Sequence, residues 1–200
     1  MIYLDSKMCG YDLDYIGFPS VETCMAIVFE SANWLVGWHA TSGRESFEDG
    51  ATKFGRYVRR VGGNAQTIRV YGVTHGHRAS LTDINTELRT AAGAIEFQGP
   101  ISTVILRGDV GEFVGFRRVG GGAMCEIHYA PNARMQYVKA NVDPSKFRHQ
   151  TVHPSKAYDS PVNLYGGDEN SAPIVEKVLL VNPKKGLHLV KASRIVSFNV

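Results

Sequence analysis

Two short apolar runs separated by a polar turn decide how the chain folds, and they lie in residues 24–39, CMAIVFESANWLVGWH. The runs Met25 to Phe29 and Trp34 to Trp38 are rich in β-branched and aromatic side chains, which favour strands. Between them, Glu30-Ser31-Ala32-Asn33 carries residues typical of turns. The stretch therefore predicts a β-hairpin that the chain enters at Cys24 and leaves at His39.

Two amphipathic helices are predicted after the hairpin. Apolar residues recur at helical spacing over about Ser46 to Val61, with arginines largely off that stripe. Thr67 to Thr74 has the composition of a strand. Ser80, followed three residues later by Asp83, resembles a capping box that opens a second helix, which is expected to run to about Ala92.

The second half of the chain is predicted to be mainly antiparallel sheet. Short β-favouring runs alternate with turns, the clearest of which is Gly120-Gly121-Gly122. From Asp143 to Pro173 the composition shifts to Pro, Ser, Asn, Gly and His, as in a long surface connection. The predicted strands are Ser102 to Arg107, Gly111 to Arg118, Ala123 to Tyr129, Met135 to Ala140, Ile174 to Val181 and Leu187 to Phe198.

These elements predict an α/β (α+β) sandwich, in which a mixed, largely antiparallel sheet carries two packed helices and extra C-terminal strands. The length of 200 residues and the hydrophobic content of 44% suit a chain that buries a core. We expect residues 1–142 to form the main domain and residues 143–200 to form an extension packed on the same domain. The last two strands would add to a sheet edge or exchange with a partner chain.

The bulk composition argues against two classes of partner. The formal net charge of +3 is too small to indicate a nucleic-acid binder. No segment approaches the roughly 18 consecutive apolar residues of a membrane span, and the first ten residues lack the basic-then-apolar order of a signal peptide. We therefore expect synthesis in the cytoplasm, with export into a host or target cell as an effector left open.

The cysteines and histidines predict neither a disulfide scaffold nor a metal site. Cys9, Cys24 and Cys125 are odd in number and have no CxxC spacing. Cys125 lies in an apolar run and is expected to be an inert, packed thiol. His75 and His77 could bind a metal, but no third ligand accompanies them at a recognisable spacing, so a polar turn is the preferred interpretation.

Cys24 and His39 have the chemistry of a thiol hydrolase. A catalytic cysteine needs an imidazole that favours its ionised form, and N–H donors for the oxyanion. Because the ends of antiparallel neighbours lie close together, the hairpin could bring Cys24 and His39 side by side, with N–H groups at the start of the first strand as oxyanion donors. The alternative is that Cys24 is a small buried hydrophobe and His39 a hydrogen-bonded surface residue.

Three stretches occur in an informative order: SVETCMAIVF at residues 20–29, WLVGWHAT at residues 34–41 and, after the first predicted helix, IRVYG at residues 68–72. This order resembles the bacterial chemoreceptor glutamine deamidases and the catalytic domain of the cytotoxic necrotizing factor toxins, over about Tyr11 to Tyr137. In both families a cysteine and a histidine hydrolyse the side-chain amide of a glutamine in a target protein. The resemblance implies that Cys24 is the nucleophile and His39 its general base.

The sequence departs from the family pattern around the cysteine. Those families often carry glycine beside the cysteine, whereas Glu22 and Thr23 precede Cys24 here. The chemoreceptor enzymes also use an upstream threonine to orient the histidine. Phe18 stands at that position, so Ser20, Thr23 or a backbone carbonyl is expected to take the role. These departures and the added C-terminal segment favour the toxin or effector version over the chemoreceptor version.

The resemblance implies an enzyme without a metal or cofactor, whose partner is a protein substrate bearing an exposed glutamine. Two other classes stay open. A different thiol hydrolase, such as a protease or a transglutaminase, would use the same cysteine and histidine. A non-enzymatic protein-binding module that keeps the fold would use neither.

Overall fold

Two β-sheets and two helices make up the part of the chain that this computed structural model describes, which is residues 2–4, 6–41, 44–61, 66–76, 80–107, 111–131, 136–139, 162–163, 176–179 and 187–200. Each sheet has seven strands in that part of the chain. The two sheets and the helices form three layers, and the hairpin lies in the middle layer.

The hairpin occupies the centre of the middle layer, which we call the hairpin sheet. Neighbouring strands in it are antiparallel, except for the parallel pair β6 and β7, whose crossover connection contains a helix. In spatial order its strands are β11 Val162–Asn163, β2 Met8–Asp12, β5 Leu35–Ala40, β4 Met25–Ser31, β6 Thr67–His75, β7 Pro100–Leu106 and β14 Val196–Asn199.

The predicted hairpin, formed by β4 and β5, is confirmed. Ile27 pairs with Trp38 in an antiparallel register. Ser31 holds the turn, because its hydroxyl donates to the Trp34 carbonyl oxygen at 3.1 Å and accepts from the Trp34 N–H at 3.0 Å. This is the local side-chain bonding that makes serine a turn residue.

The second sheet, which we call the facing sheet, packs against the hairpin sheet. Its neighbours are antiparallel, except for the parallel pair β1 and β3. In spatial order its strands are β10 Gln136–Lys139, β12 Glu176–Leu179, β1 Ile2–Tyr3, β3 Tyr15–Val21, β8 Glu112–Arg117, β9 Glu126–Pro131 and β13 His188–Leu189.

The described helices are α1 Arg44–Arg60 and α2 Leu81–Gly93. The first begins two residues before the predicted start. The second opens at the predicted capping box, in which the Ser80 hydroxyl accepts from the Asp83 N–H and the Asp83 carboxylate accepts from the Ser80 N–H. Both helices predicted from the sequence are therefore confirmed.

The hairpin sheet has an apolar core on each face. On one face, the Trp38 ring lies 5.0 Å from the Phe47 ring and 5.5 Å from the Phe54 ring of α1. On the other face, Phe116 of the facing sheet lies 5.9 Å from Tyr71 of β6. Helices on one side and a second sheet on the other make an α+β sandwich, so the predicted fold class is confirmed.

The structure differs from the prediction in dividing the strands between two sheets. Residues 2–21, for which the sequence predicts no strands, contribute β1, β2 and β3. Nearly every residue of β2 and β3 is buried, so these strands lack the alternation of polar and apolar residues that marks a half-exposed strand.

The last fourteen residues contribute an edge strand to each sheet. The predicted strand Leu187 to Phe198 is divided into β13 and β14 by a short 3-10 helix, Ala192–Arg194. β13 pairs with β9 of the facing sheet, whereas β14 pairs with β7 of the hairpin sheet. Of the predicted connection Asp143 to Pro173, all but residues 162–163 lies outside the described residues.

Candidate active site

Cys24 lies in the bend between β3 and β4, at the end of the sandwich where β4 begins and β5 and β6 end, which we call the Cys24 end. Met25, the next residue, pairs with Ala40 on one side and with Thr74 on the other. The Thr74 hydroxyl donates to the Cys24 carbonyl oxygen at 3.1 Å, which anchors the backbone of the bend to β6. The side chain of Cys24 is half-buried, so a reagent or substrate can reach it.

His39 lies in β5 opposite Ala26, two residues along the chain from Cys24. This register puts Cys24 and His39 at diagonal positions of the hairpin, the separation at which cross-strand side chains still come within reach. The His39 ring is buried and packs edge-on against Phe18, with ring centroids 5.8 Å apart.

The His39 ring is oriented by a backbone carbonyl. Its Nδ1 atom lies 2.9 Å from the Leu4 carbonyl oxygen. Since a carbonyl oxygen accepts only, Nδ1 carries the proton, and neutral His39 then has its accepting lone pair on Nε2. That is the tautomer that a general base needs.

Leu4, Ser6 and Lys7 form a segment beside this site, between β1 of the facing sheet and β2 of the hairpin sheet. Leu4 N–H donates to the Gly17 carbonyl oxygen at 2.8 Å, and Lys7 N–H donates to the His39 carbonyl oxygen at 2.9 Å. Between them, the Ser6 hydroxyl lies 3.8 Å from the Cys24 sulfur. The segment thus contacts both members of the predicted catalytic pair.

Ser20 and Thr23, the side chains predicted as alternatives for orienting His39, are both exposed beside the cysteine. Ser20, the last residue but one of β3, has a φ of 56°, in the left-handed region. Thr23 lies in the bend just before Cys24. The contact that the structure gives for His39 Nδ1 is the Leu4 carbonyl, which is the third alternative.

None of the three cysteines forms a disulfide, and their environments differ. Cys9 and Cys125 are buried, whereas Cys24 is half-buried. Burial raises the pKa of the Cys125 thiol well above its ordinary value, and the neighbouring Glu30 carboxylate raises it further. Cys125 is therefore packed as its apolar run predicts, and we expect it to be unreactive.

Two buried polar residues at the same end were not predicted to belong to the site. Met25 pairs with Thr74, so the position of β6 across from Cys24 is His75. Glu112 begins β8 in the facing sheet, where it pairs with Val21. Both residues are buried. From the sequence, His75 was considered only as a metal ligand together with His77, and His77 lies outside the described residues. No pattern in the sequence indicated that Glu112 belongs to the site.

Several charges act on Glu112. Burial raises the pKa of its carboxyl group, and the charges of His75, Arg194 and His188 act in the opposite direction.

Arg194 donates to the Ile105 carbonyl oxygen at 3.1 Å and lies over the Tyr129 ring. The same arginine lines a groove of about 640 Å³ beside α2, together with Leu81, Thr103, Ile105, Arg107, Ser193 and Val196.

In the part of the chain that the structure describes, no three His, Cys, Asp or Glu side chains come together as metal ligands. No described helix is long and apolar enough to cross a membrane.

Comparison with known proteins adds no family to this description. No protein-family model matches the chain, and a search of curated proteins finds no match. The residues at the Cys24 end are therefore the features of this chain that bear on its function.

Proposed function

We propose that the protein is a protein-glutamine deamidase, acting as a toxin or effector, with Cys24 as nucleophile and His39 as general base. The observation that carries the proposal is the orientation of His39. Its Nδ1 proton is directed to the Leu4 carbonyl oxygen, so Nε2 is the acceptor, and the ring lies diagonally across the hairpin from a half-buried thiol. The family resemblance over the same residues names the reaction.

The mechanism has two stages. His39 takes the thiol proton, and the Cys24 sulfur attacks the carbonyl carbon of the glutamine side chain. The carbon–nitrogen bond breaks, and ammonia leaves with the proton from His39. Water then hydrolyses the thioester, which leaves glutamate in the substrate and restores the thiol.

The first test measures the reactivity of the thiol. At neutral pH, Cys24 should react with iodoacetamide faster than Cys9 and Cys125 of the same molecule, read for each cysteine by mass spectrometry. His39→Gln should slow Cys24 by about tenfold or more, because the base is lost. His128→Gln, a half-buried histidine in β9, is the matched control and should change nothing at Cys24. Equal, slow labelling of all three cysteines would contradict the proposal.

The second test identifies the reaction. Protein extracts are incubated with the wild type or with Cys24→Ser, and peptides are compared by mass spectrometry. Conversion of particular glutamines to glutamate by the wild type alone supports deamidation. New chain termini would instead indicate a protease, and amine adducts on glutamine would indicate a transglutaminase. If Cys24→Ser retains every activity, the protein is a binding module.

A further inference from the structure

His75 and Glu112 are buried residues that the two sheets place at the Cys24 end, and the charge of His75 acts on Glu112. His75 follows Thr74, whose hydroxyl holds the Cys24 carbonyl, so β4 and β6 are still adjacent at the level of the cysteine. The preceding inward residue of β6 is Val73, which belongs to the core between the sheets. Because side chains alternate along a strand, His75 points to that same side.

Glu112 approaches from the opposite sheet. Val114, two residues further along β8, belongs to the same core between the sheets, so Glu112 also points inward. Its strand partner, Val21, lies three residues before Cys24. Gly111, the residue before Glu112, approaches Glu22 of the bend, since a Cβ built on it would lie 3.3 Å from the Glu22 Cβ. The carboxylate therefore belongs to the surroundings of the Cys24 bend.

The Glu112 carboxylate is buried, which is unusual for a charged group. Glu112 is 5% exposed, and its Oε2 atom is buried with no hydrogen-bond partner among the described residues. Burying such a group is unfavourable unless it is paired. A neutral imidazole has one N–H group, whereas a protonated imidazole has two. An acceptor beside His75 is therefore suited to the N–H that forms when His75 takes up a proton.

We propose that His75 is a second catalytic acid–base residue of the Cys24 site, and that Glu112 is the carboxylate that stabilises its protonated form. This inference rests on the proposed thiol chemistry and divides its two proton transfers. His39 takes the thiol proton when the thioester forms. His75 takes a proton from the water that attacks the thioester, the carbon–sulfur bond breaks, and the electron pair returns to sulfur. His75 then returns the proton to the Cys24 thiolate.

The positions of the two histidines support this division. Neighbouring strands on opposite sides of β4 supply them, β5 for His39 and β6 for His75, so they flank the cysteine. The Nδ1 atom of His39 is hydrogen-bonded to a neutral carbonyl oxygen. A protonated imidazole is stabilised more strongly by a carboxylate than by a neutral carbonyl. The carboxylate partner of His75 suits it to the proton transfer of the hydrolysis stage.

The two stages can be separated with p-nitrophenyl acetate, which acylates a reactive thiol and releases coloured p-nitrophenolate. The burst of colour measures acylation of Cys24, and the later linear phase measures hydrolysis of the acetyl thioester. His75→Gln and Glu112→Gln should keep the burst rate within about twofold but slow the linear phase by about tenfold or more. Intact mass spectrometry should then find the acetyl group retained on Cys24. His39→Gln should slow the burst, and His128→Gln should change neither phase.

The outcomes distinguish the two proposals. If both His75→Gln and Glu112→Gln show the burst rate and the linear rate of the wild type, the role of this pair is overturned and the deamidase proposal is left intact. If the wild type releases p-nitrophenolate no faster than Cys24→Ser does, the thiol chemistry on which both proposals rest is overturned. If His75→Gln does not fold, Glu112→Gln decides the question, because glutamine keeps the shape of the side chain while it removes the charge and replaces one acceptor oxygen with an NH2 donor.

Discussion

At the scale of single residues, Glu112 should reduce the stability of the fold at neutral pH. Its carboxyl pKa is raised by burial in the folded chain, above the value of 4.5 that an unperturbed glutamate has. As the pH rises above about 4.5, the unfolded chain loses this proton before the folded chain does, so the free energy of unfolding falls. Below that pH both states are protonated and the penalty disappears.

Glu112→Gln should therefore be more stable than the wild type at pH 7, and the difference should shrink as the pH is lowered towards 4. Thermal melting followed by circular dichroism across this range measures the difference. The opposite trend, a variant that is less stable at pH 7 with a gap that closes in acid, would mean that the charges of His75, Arg194 and His188 outweigh the cost of burial. Greater stability together with slower thioester hydrolysis would indicate a carboxylate kept for function rather than for folding.

The sequence predicted the central residues of the candidate site but not its supporting atoms. Cys24 and His39 could be proposed because a hairpin is a local structure, readable from a turn and two apolar runs. The Leu4 carbonyl could not, because it is a backbone atom 35 residues from His39 in the chain, brought in by a parallel pairing that leaves no local pattern. Glu112 could not, because its inward orientation depends on the packing of two sheets.

At the scale of elements, the segment from Leu4 to Lys7 orders the site through its backbone. Lys7 has a φ of 70°, in the left-handed region that glycine adopts freely, and its N–H donates to the His39 carbonyl oxygen. A lysine held there is strained by about 1 kcal/mol. The conformation of this one residue therefore supports the position of β5 next to the cysteine.

Lys7→Gly and Lys7→Pro form a matched pair that tests this role. Glycine keeps the N–H and fits the dihedral angle, so the melting temperature and the iodoacetamide labelling of Cys24 should be retained. Proline lacks the N–H and fixes φ at about −65°, so the segment cannot keep its conformation. Labelling of Cys24 should therefore slow, as it does in His39→Gln. If the proline variant labels like the glycine variant, the segment does not organise the site.

At the scale of the whole molecule, the last fourteen residues connect the two sheets along one edge. β13 extends the facing sheet and β14 extends the hairpin sheet. Where β14 pairs with β7, the Ser102 and Ser197 hydroxyls lie 2.9 Å apart. Between the two strands, Val190 is buried in the core between the sheets, and its N–H donates to the Ile127 carbonyl oxygen at 2.8 Å. The C-terminal segment is thus part of the sandwich.

Substitution of two valines tests whether this segment contributes to the free energy of unfolding. Val190 is 6% exposed, whereas Val196 is 51% exposed. Val190→Ala should lower the free energy of unfolding by about 2 kcal/mol, since it removes buried methyl groups and leaves a cavity. For a chain of this size, that change corresponds to a melting temperature roughly 4–8 °C lower. Val196→Ala should stay within about 0.5 kcal/mol of the wild type, because its methyl groups are largely in water. Equal melting temperatures for the two variants would mean that the segment lies on the sandwich without contributing to its core, so that removing it should leave the Cys24 end folded.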